Sequence, residues 1–170
     1  MAMRDDSFEI KPITENDLEE VFEVYRQSED FLALGPERKA SMAVVLRDIE
    51  LSRREKSVFC GVYTSDGKMI GVVDFVPGDI EGTAHSGFIS LLMIVASWRN
   101  RGIGTRILEL VEDRIRVTGL VSEIHTAVQL NNPAALRFWQ RNNYHVFGNP
   151  ELRPDRTVVS YLRKDLSIPD

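Results

Sequence analysis

The stretch from Leu91 to Leu108 constrains the fold of this chain more than any other. It begins as an apolar strand, turns at Ser97-Trp98, and passes through Arg99-x-x-Gly102-x-Gly104 into an amphipathic helix. Glycine permits a positive φ and lets a ligand come close to the backbone. The first turn of the following helix has N–H groups without a partner inside the helix. Those donors sit at the positive end of the helix dipole and suit phosphate oxygens. Arg99 and Arg101 add charge beside them. The turn is built for an anion, and a pyrophosphate is its natural guest.

Other phosphate motifs fit poorly. A dinucleotide fingerprint needs a third glycine or alanine where Ile107 stands. A Walker loop needs Gly-Lys followed by Ser or Thr, and the chain has none. On the glycines alone, a strand-to-helix turn that uses them only for geometry is equally open.

A second motif, Asn132-Pro133-Ala134-Ala135 with an aromatic at Trp139, follows a strand-like stretch from Ile124 to Leu130. Taken with Arg99-x-x-Gly102-x-Gly104, in this order and separated by a helix and a strand, it resembles the GNAT superfamily of acyl-CoA-dependent N-acetyltransferases. The sharp part of the resemblance runs from Leu91 to Tyr144. In element order it covers about the whole chain, which implies a single GNAT-type domain over residues 1–170.

Composition narrows the alternatives. The chain has 170 residues, 43% of them hydrophobic and 28% charged, as is ordinary for a globular domain with a real core. No apolar run approaches the ~20 residues of a membrane span. The N-terminal residues lack the apolar stretch of a signal peptide. The single Cys60 cannot form an internal disulfide and suits a reducing cytoplasm. The net charge of −5 argues against nucleic acid and is compatible with a cationic amine.

Phe8 to Ile13 alternates like a first strand. Thr14-Glu15-Asn16-Asp17 is a capping-box variant ahead of a helix that buries Leu18, Val21, Phe22 and Tyr25. Pro36 is placed to open a second helix with the stripe Met42, Val45, Leu46 and Ile49, and Arg53-Arg54-Glu55-Lys56 reads as its solvated end. Two strands, Ser57–Thr64 and Lys68–Val76, meet at Ser65-Asp66-Gly67. A third runs from His85 to Val95. A helix from about Gly102 to Val117 buries Ile103, Ile107, Leu108, Val111 and Ile115, and a strand follows from Ser122 to Leu130. That strand–helix–strand unit predicts a parallel pair with a right-handed crossover. A helix from Pro133 to Asn142 leads to two last strands, Tyr144–Phe147 and Thr157–Leu162, joined across a loop from Gly148 to Arg156. The order β-α-α-β-β-β-α-β-α-β-β is an α/β chain with a mixed central sheet and helices on both faces. It is also the element order of GNAT proteins.

The resemblance implies acetyl-CoA as co-substrate, no metal, and an amine acceptor: a small metabolite, an antibiotic, or a protein amine. It places the pantetheine arm on the backbone of Met93, Ile94 and Val95. The pyrophosphate falls on the N–H groups from Arg99 through Asn100, Arg101, Gly102, Ile103 and Gly104 to Thr105. Asn132, Ala135 and Trp139 border the cofactor, Asn132 with a hydrogen bond to its amide arm. Read from the residues, Asn132 before Pro133 is a helix N-cap, and both roles can hold together. Homodimers are common in the family, and no segment here declares an interface.

The chemistry asks for a base, because an amine with a pKa near ~10 must lose a proton before it attacks. A strand-end N–H near Ile94 can supply the oxyanion donor. Many family members protonate the leaving thiolate with a tyrosine where this chain has Trp139, and an indole is no practical acid. Trp139 then reads as packing beside Phe138. The family glutamate on the third strand falls at about Ser90. Candidate bases are His85, whose type titrates near neutrality, and Asp74, with Asp79 and Glu81 nearby. His125 and His145 read as structural, and the histidines lack metal-ligand spacing. Cys60 between Phe59 and Gly61 reads as buried rather than as an acetyl carrier, which favours direct transfer in a ternary complex. Glu29 and Asp30 are candidates to attract an ammonium, with Phe31 and Leu32 as a wall and the loop from Pro77 to Ala84 as another. A non-catalytic acyl-CoA sensor with the same fold is the rival reading.

Overall fold

The computed structural model describes residues 7–78 and 85–166. Its strands are β1 (Glu9–Pro12), β2 (Val58–Tyr63), β3 (Met69–Val76), β4 (Ser86–Ile94), β5 (Glu123–Gln129), β6 (His145–Leu152) and β7 (Val158–Asp165). They form one sheet in the order β1-β2-β3-β4-β5-β7-β6. The helices are α1 (Leu18–Arg26), α2 (Glu29–Leu32), α3 (Met42–Arg54), α4 (Ile103–Thr118) and α5 (Pro133–Arg141), with 3-10 turns at Glu15–Asp17 and Ala96–Trp98. The expected order holds, with α2 and the two short turns added to it.

Local chemistry explains most element boundaries. Thr14 closes its capping box with Asp17, whose carboxylate accepts the Thr14 N–H at 2.6 Å. The second long helix opens at Met42 rather than at Pro36. Ser41 is its cap, with Oγ accepting the Val44 N–H at 3.2 Å, and that bond satisfies a donor that Pro36 has no means to serve. Its inward stripe is Val44, Val45, Ile49 and Ser52, whereas Leu46 is 48% exposed. Gly67, at φ 83°, turns the β2–β3 hairpin where expected. The last hairpin differs. β6 continues through Gly148-Asn149-Pro150 to Leu152, with a register break between Phe147 and Glu151, and only the short turn around residues 153–157 joins it to β7. An edge strand tolerates the glycine and the proline that read as a loop.

β4 and β5 are parallel, as the strand–helix–strand pattern requires, and every other strand pair is antiparallel. α1 and α3 pack on one face of the sheet, against β3 and β2, and α4 packs on the other. α4 buries the five apolar residues expected of it, together with Glu112. That carboxylate accepts the Tyr144 hydroxyl at 3.0 Å and the Lys164 ammonium at 3.1 Å, all three inside the core. Burial, and then Glu112 beside it, hold the Tyr144 phenol far above its usual ionisation. Among the described residues no helix is long and apolar enough to cross a membrane, and no cluster of His, Cys, Asp and Glu is arranged to hold a metal ion.

Candidate active site

β4 and β5 pair over only four residues each, from Ser86↔Glu123 to Ile89↔Thr126. Beyond that point β4 follows β3 and β5 follows β7, so the two strands part. Thr126 Oγ1 donates to the Ile89 carbonyl at 2.9 Å and closes the fork. A cavity of about 760 Å³ fills the gap. Phe31, Leu51, Glu55, Ser90 and Tyr161 line it on the α3 face, and Gly102, Gly104, Thr105, Phe138 and Trp139 line it on the α4 face. The cavity therefore passes through the sheet. A separate groove of about 520 Å³ between β1 and α4 is mostly apolar and contains none of the expected site residues.

The two glycines of the turn serve different ends. Gly102 caps α4 in the left-handed region at φ 74°, with open space where a Cβ would stand. Asn100 precedes it at φ 60°. Gly104 makes room for α5, since a Cβ there would lie 3.0 Å from the Phe138 ring. The first α4 bond runs from Arg106 N–H to the Gly102 carbonyl. The N–H groups of Ile103, Gly104 and Thr105 precede it and lie outside the helical ladder, free for an anion.

Both arginines of the turn are held by protein groups. Arg99 Nε donates to the Ile94 carbonyl at 2.7 Å, and its guanidinium takes both oxygens of Asp30. That bond to Arg99 holds the Asp30 carboxyl below its usual range, against the opposing effect of burial. Arg101 lies over the Trp98 ring at 5.5 Å. Asp30, a candidate for attracting an ammonium, is thus engaged with Arg99. Glu29 accepts the Ala40 N–H at 3.1 Å and fastens the connection to α3.

The end of β4 exposes backbone, though not at every residue expected. Val95 N–H donates to the Ile70 carbonyl at 2.9 Å. In an antiparallel ladder the direction alternates, so Met93 also turns its N–H and C=O toward β3. The groups of Leu92 and Ile94 point the other way, into the gap. Met93 and Val95 are buried in the core with their backbone turned toward β3 and do not line the cavity, whereas Leu92 and Ile94 do.

On α5, Asn132 Oδ1 accepts the Ala135 N–H at 3.0 Å, so the cap is formed, and both residues also line the cavity. Trp139 is buried edge-on between Phe138 and Tyr144, with ring centroids 5.4 and 4.9 Å away, which is the packing role expected of it. Gln129 Oε1 lines the same gap, buried and without a hydrogen-bond partner among the described residues. A donor from water or from a ligand can satisfy such an acceptor.

The candidate bases separate. His85 stands exposed at the start of β4 with φ 70°, its Nδ1 3.4 Å from the Leu120 carbonyl, and does not line the cavity. Asp79 and Glu81 lie outside the described residues. His125 bonds Glu123 at 2.8 Å and packs on Phe147, and His145 is exposed on β6. Cys60 is fully buried, and burial pushes its thiol up to about 11, away from the thiolate an acetyl carrier needs. Asp74 is buried behind the cavity wall, where Ser52 and Ser90 bond its two oxygens. Burial raises its carboxyl above the usual value, against those two bonds.

Leu51, Glu55, Gln129, Tyr161, Arg153 and Asp155 also line the cavity and were not singled out in the sequence. Tyr161 accepts from Arg153 Nη1 at 3.2 Å. None of them carries a local motif, because strand order alone brings the end of α3 to the last hairpin.

The cavity crosses the sheet, with the anion turn on its α4 side and the end of α3 on the other. The model of the acetyltransferase (GNAT) family matches residues 16–144, and the chain belongs to that family, whose members are acyltransferases that use acetyl-CoA. No curated protein matches the sequence. Among solved structures, an acetyltransferase from Thermus thermophilus aligns at 20% identity over 94% of this chain and 97% of that one, with a TM-score of 0.79. The AAC(6')-Ib enzyme in complex with ribostamycin and coenzyme A aligns at 22% over 95% of each chain, with a TM-score of 0.78. Spermidine N-acetyltransferase from Vibrio cholerae aligns at 14% over 94% and 96%, with a TM-score of 0.71. These are likenesses of fold.

Proposed function

We propose that this protein transfers the acetyl group of acetyl-CoA to a primary amine by direct attack, with both substrates bound together. The observation that carries the reading is the cavity running through the sheet, which lets each substrate enter from its own face. The residues fit acetyl-CoA. The N–H groups of Ile103, Gly104 and Thr105 would hold the pyrophosphate. The backbone of Leu92 and Ile94, Asn132, and the orphaned Gln129 Oε1 would hold the pantetheine arm, whose amides offer complementary donors and acceptors. The bound thioester supplies the acetyl group. The Ile94 N–H, turned into the gap, is the donor for the developing oxyanion. A thiol pKa near ~8.5 makes the thiolate a fair leaving group without a proton from Trp139. Tyr144 is spent on Glu112. The acceptor is a small metabolite, an antibiotic or a protein amine. The chain acts as one domain over residues 1–170, in the reducing cytoplasm that its lone buried cysteine suits.

Calorimetric titration with acetyl-CoA, with ATP and NAD as controls, tests the cofactor. Micromolar binding of acetyl-CoA alone is expected. A panel of amines, followed by free thiol release, then tests transfer. Binding of ATP or NAD in preference, or thiol release indifferent to every amine, would overturn the reading. In the same assay Trp139→Phe is expected to keep turnover within about tenfold of the wild type, since a ring remains to pack on Phe138 and Tyr144. A near-total loss would assign the indole a part in the chemistry.

A further inference from the structure

We propose that Ser90 and Asp74 form the route by which the acceptor's ammonium gives up its proton, with Ser90 at the cavity and Asp74 behind it as the receiving carboxylate. The inference rests on the amine-acetylation reading above. Asp74 pairs with Leu91 and Phe75 with Ile89, so Ser90 is the extra residue at a register break. Bulges re-aim side chains beside active sites, and this one turns Ser90 into the cavity. Its hydroxyl donates to Asp74 Oδ2 at 2.8 Å. Asp74 is 6% exposed, and its other oxygen accepts the Ser52 hydroxyl at 2.7 Å. Ser90 stands two residues before Leu92, roughly 6–7 Å along the strand from a backbone partner proposed for the cofactor.

A buried carboxylate is costly without partners. This one is met by two hydroxyls and the Phe75 backbone and, among the described residues, by no cation bonded to it. The groups that act on it from neighbouring elements are Tyr25 on α1, Asp48 on α3 and Cys60 on β2. Asp48 is itself held by the Tyr25 hydroxyl at 2.8 Å and by Arg47 at 3.0 Å, and Arg114 faces Cys60 from α4. An acid nearby and little water leave Asp74 ready to take a proton, and the one hydroxyl linking it to the cavity is Ser90.

The step balances. The ammonium passes a proton to Ser90 Oγ while the Ser90 hydroxyl proton moves to Asp74 Oδ2. The neutral amine's lone pair forms the C–N bond, and the C–S bond breaks. The second amine proton goes to the departing sulfur, and Asp74 returns its proton to water through Ser90. The net products are an amide, a thiol and one proton.

The test uses the full chain, acetyl-CoA, an acceptor amine from the panel, and a hydrazide whose nitrogen is already neutral at pH 7. Asp74→Asn keeps the volume and a hydrogen-bonding head. Its kcat/KM for the amine at neutral pH is expected to fall about 10²- to 10⁴-fold, the range for a lost general base, with acetyl-CoA affinity unchanged. The deficit should shrink as pH rises toward the amine's own pKa. Transfer to the hydrazide should stay near the wild-type rate. Ser90→Ala should share the defect, and Ser90→Thr should restore the route. If Asp74→Asn matches the wild type on the amine, or loses amine and hydrazide equally, the relay is overturned while acetyl transfer stands. If the wild type acetylates no amine, the transfer reading falls and takes the relay with it.

Discussion

Gly102→Glu is expected to abolish acetyl-CoA binding, a loss of at least about 100-fold in calorimetric affinity, or ~2.7 kcal/mol. Two effects combine. At φ 74° any side chain strains the cap, by roughly 1–3 kcal/mol. The carboxylate would then stand at the N-terminus of α4, where it would compete with a phosphate for the N–H groups of Ile103, Gly104 and Thr105 and repel it. Gly102→Ala carries the strain without the charge, so the difference between the two variants isolates the electrostatic part. Gly104→Glu should give the same loss by another route, because its Cβ would press on the Phe138 ring at 3.0 Å. Wild-type affinity in Gly102→Glu would mean that the turn is not where the pyrophosphate sits.

Glu112→Ala is expected to destabilise the fold by about 3–5 kcal/mol, the usual cost of stranding one half of a buried ion pair. Lys164 Nζ lies 3.1 Å from the carboxylate, and the two side chains are only 8% and 4% exposed. Tyr144 would lose the acceptor for a fully buried hydroxyl at the same time. Arg116, 3.8 Å from Glu112, would keep its 3.3 Å contact with Asp113 but lose this second carboxylate. The loss would be felt in three elements, because the network ties α4 to β7 and to the residue that opens β6. Glu112→Gln should lose less, since it keeps an acceptor for Tyr144. Replacing the pair together, Glu112→Leu with Lys164→Met, should recover most of the stability. Urea denaturation measures all four proteins, and an unchanged midpoint in Glu112→Ala would show that water enters and solvates Lys164.

What could be read from the sequence was local. The capping box at Thr14, the cap at Asn132, the apolar stripe of α4 and the turn at Gly102 all rest on residues within about one helical turn of each other, and the fold keeps them. What escaped depends on residues far apart. Glu112 meets Tyr144 and Lys164 across 32 and 52 positions, and Asp74 meets Ser52 across 22. Glu55 lies in the Arg53–Lys56 run that reads as a solvated helix end, and Ser52 just before it carries no motif; only the packing of α3 on the sheet brings them to the site. The backbone direction of Met93 and Ile94 could not be known without the β3–β4 register, since a shift of one residue exchanges them. Gly148-Asn149-Pro150 reads as a loop because turn chemistry and edge-strand chemistry use the same residues.

The two margins of the sheet have a consequence for crowding. β1 is four residues long and ends in Pro12, with Lys11 and Glu9 paired on it. β6, at the opposite margin, is almost wholly exposed and broken in register around Pro150. A short strand, a proline, charges and a bulge are the devices that stop one sheet from adding onto another. The apolar strands β2 to β5 lie inside, sheltered from neighbouring molecules even at the fork where β4 and β5 part. Copies of this chain are thereby discouraged from zipping edge to edge into a continuous ribbon.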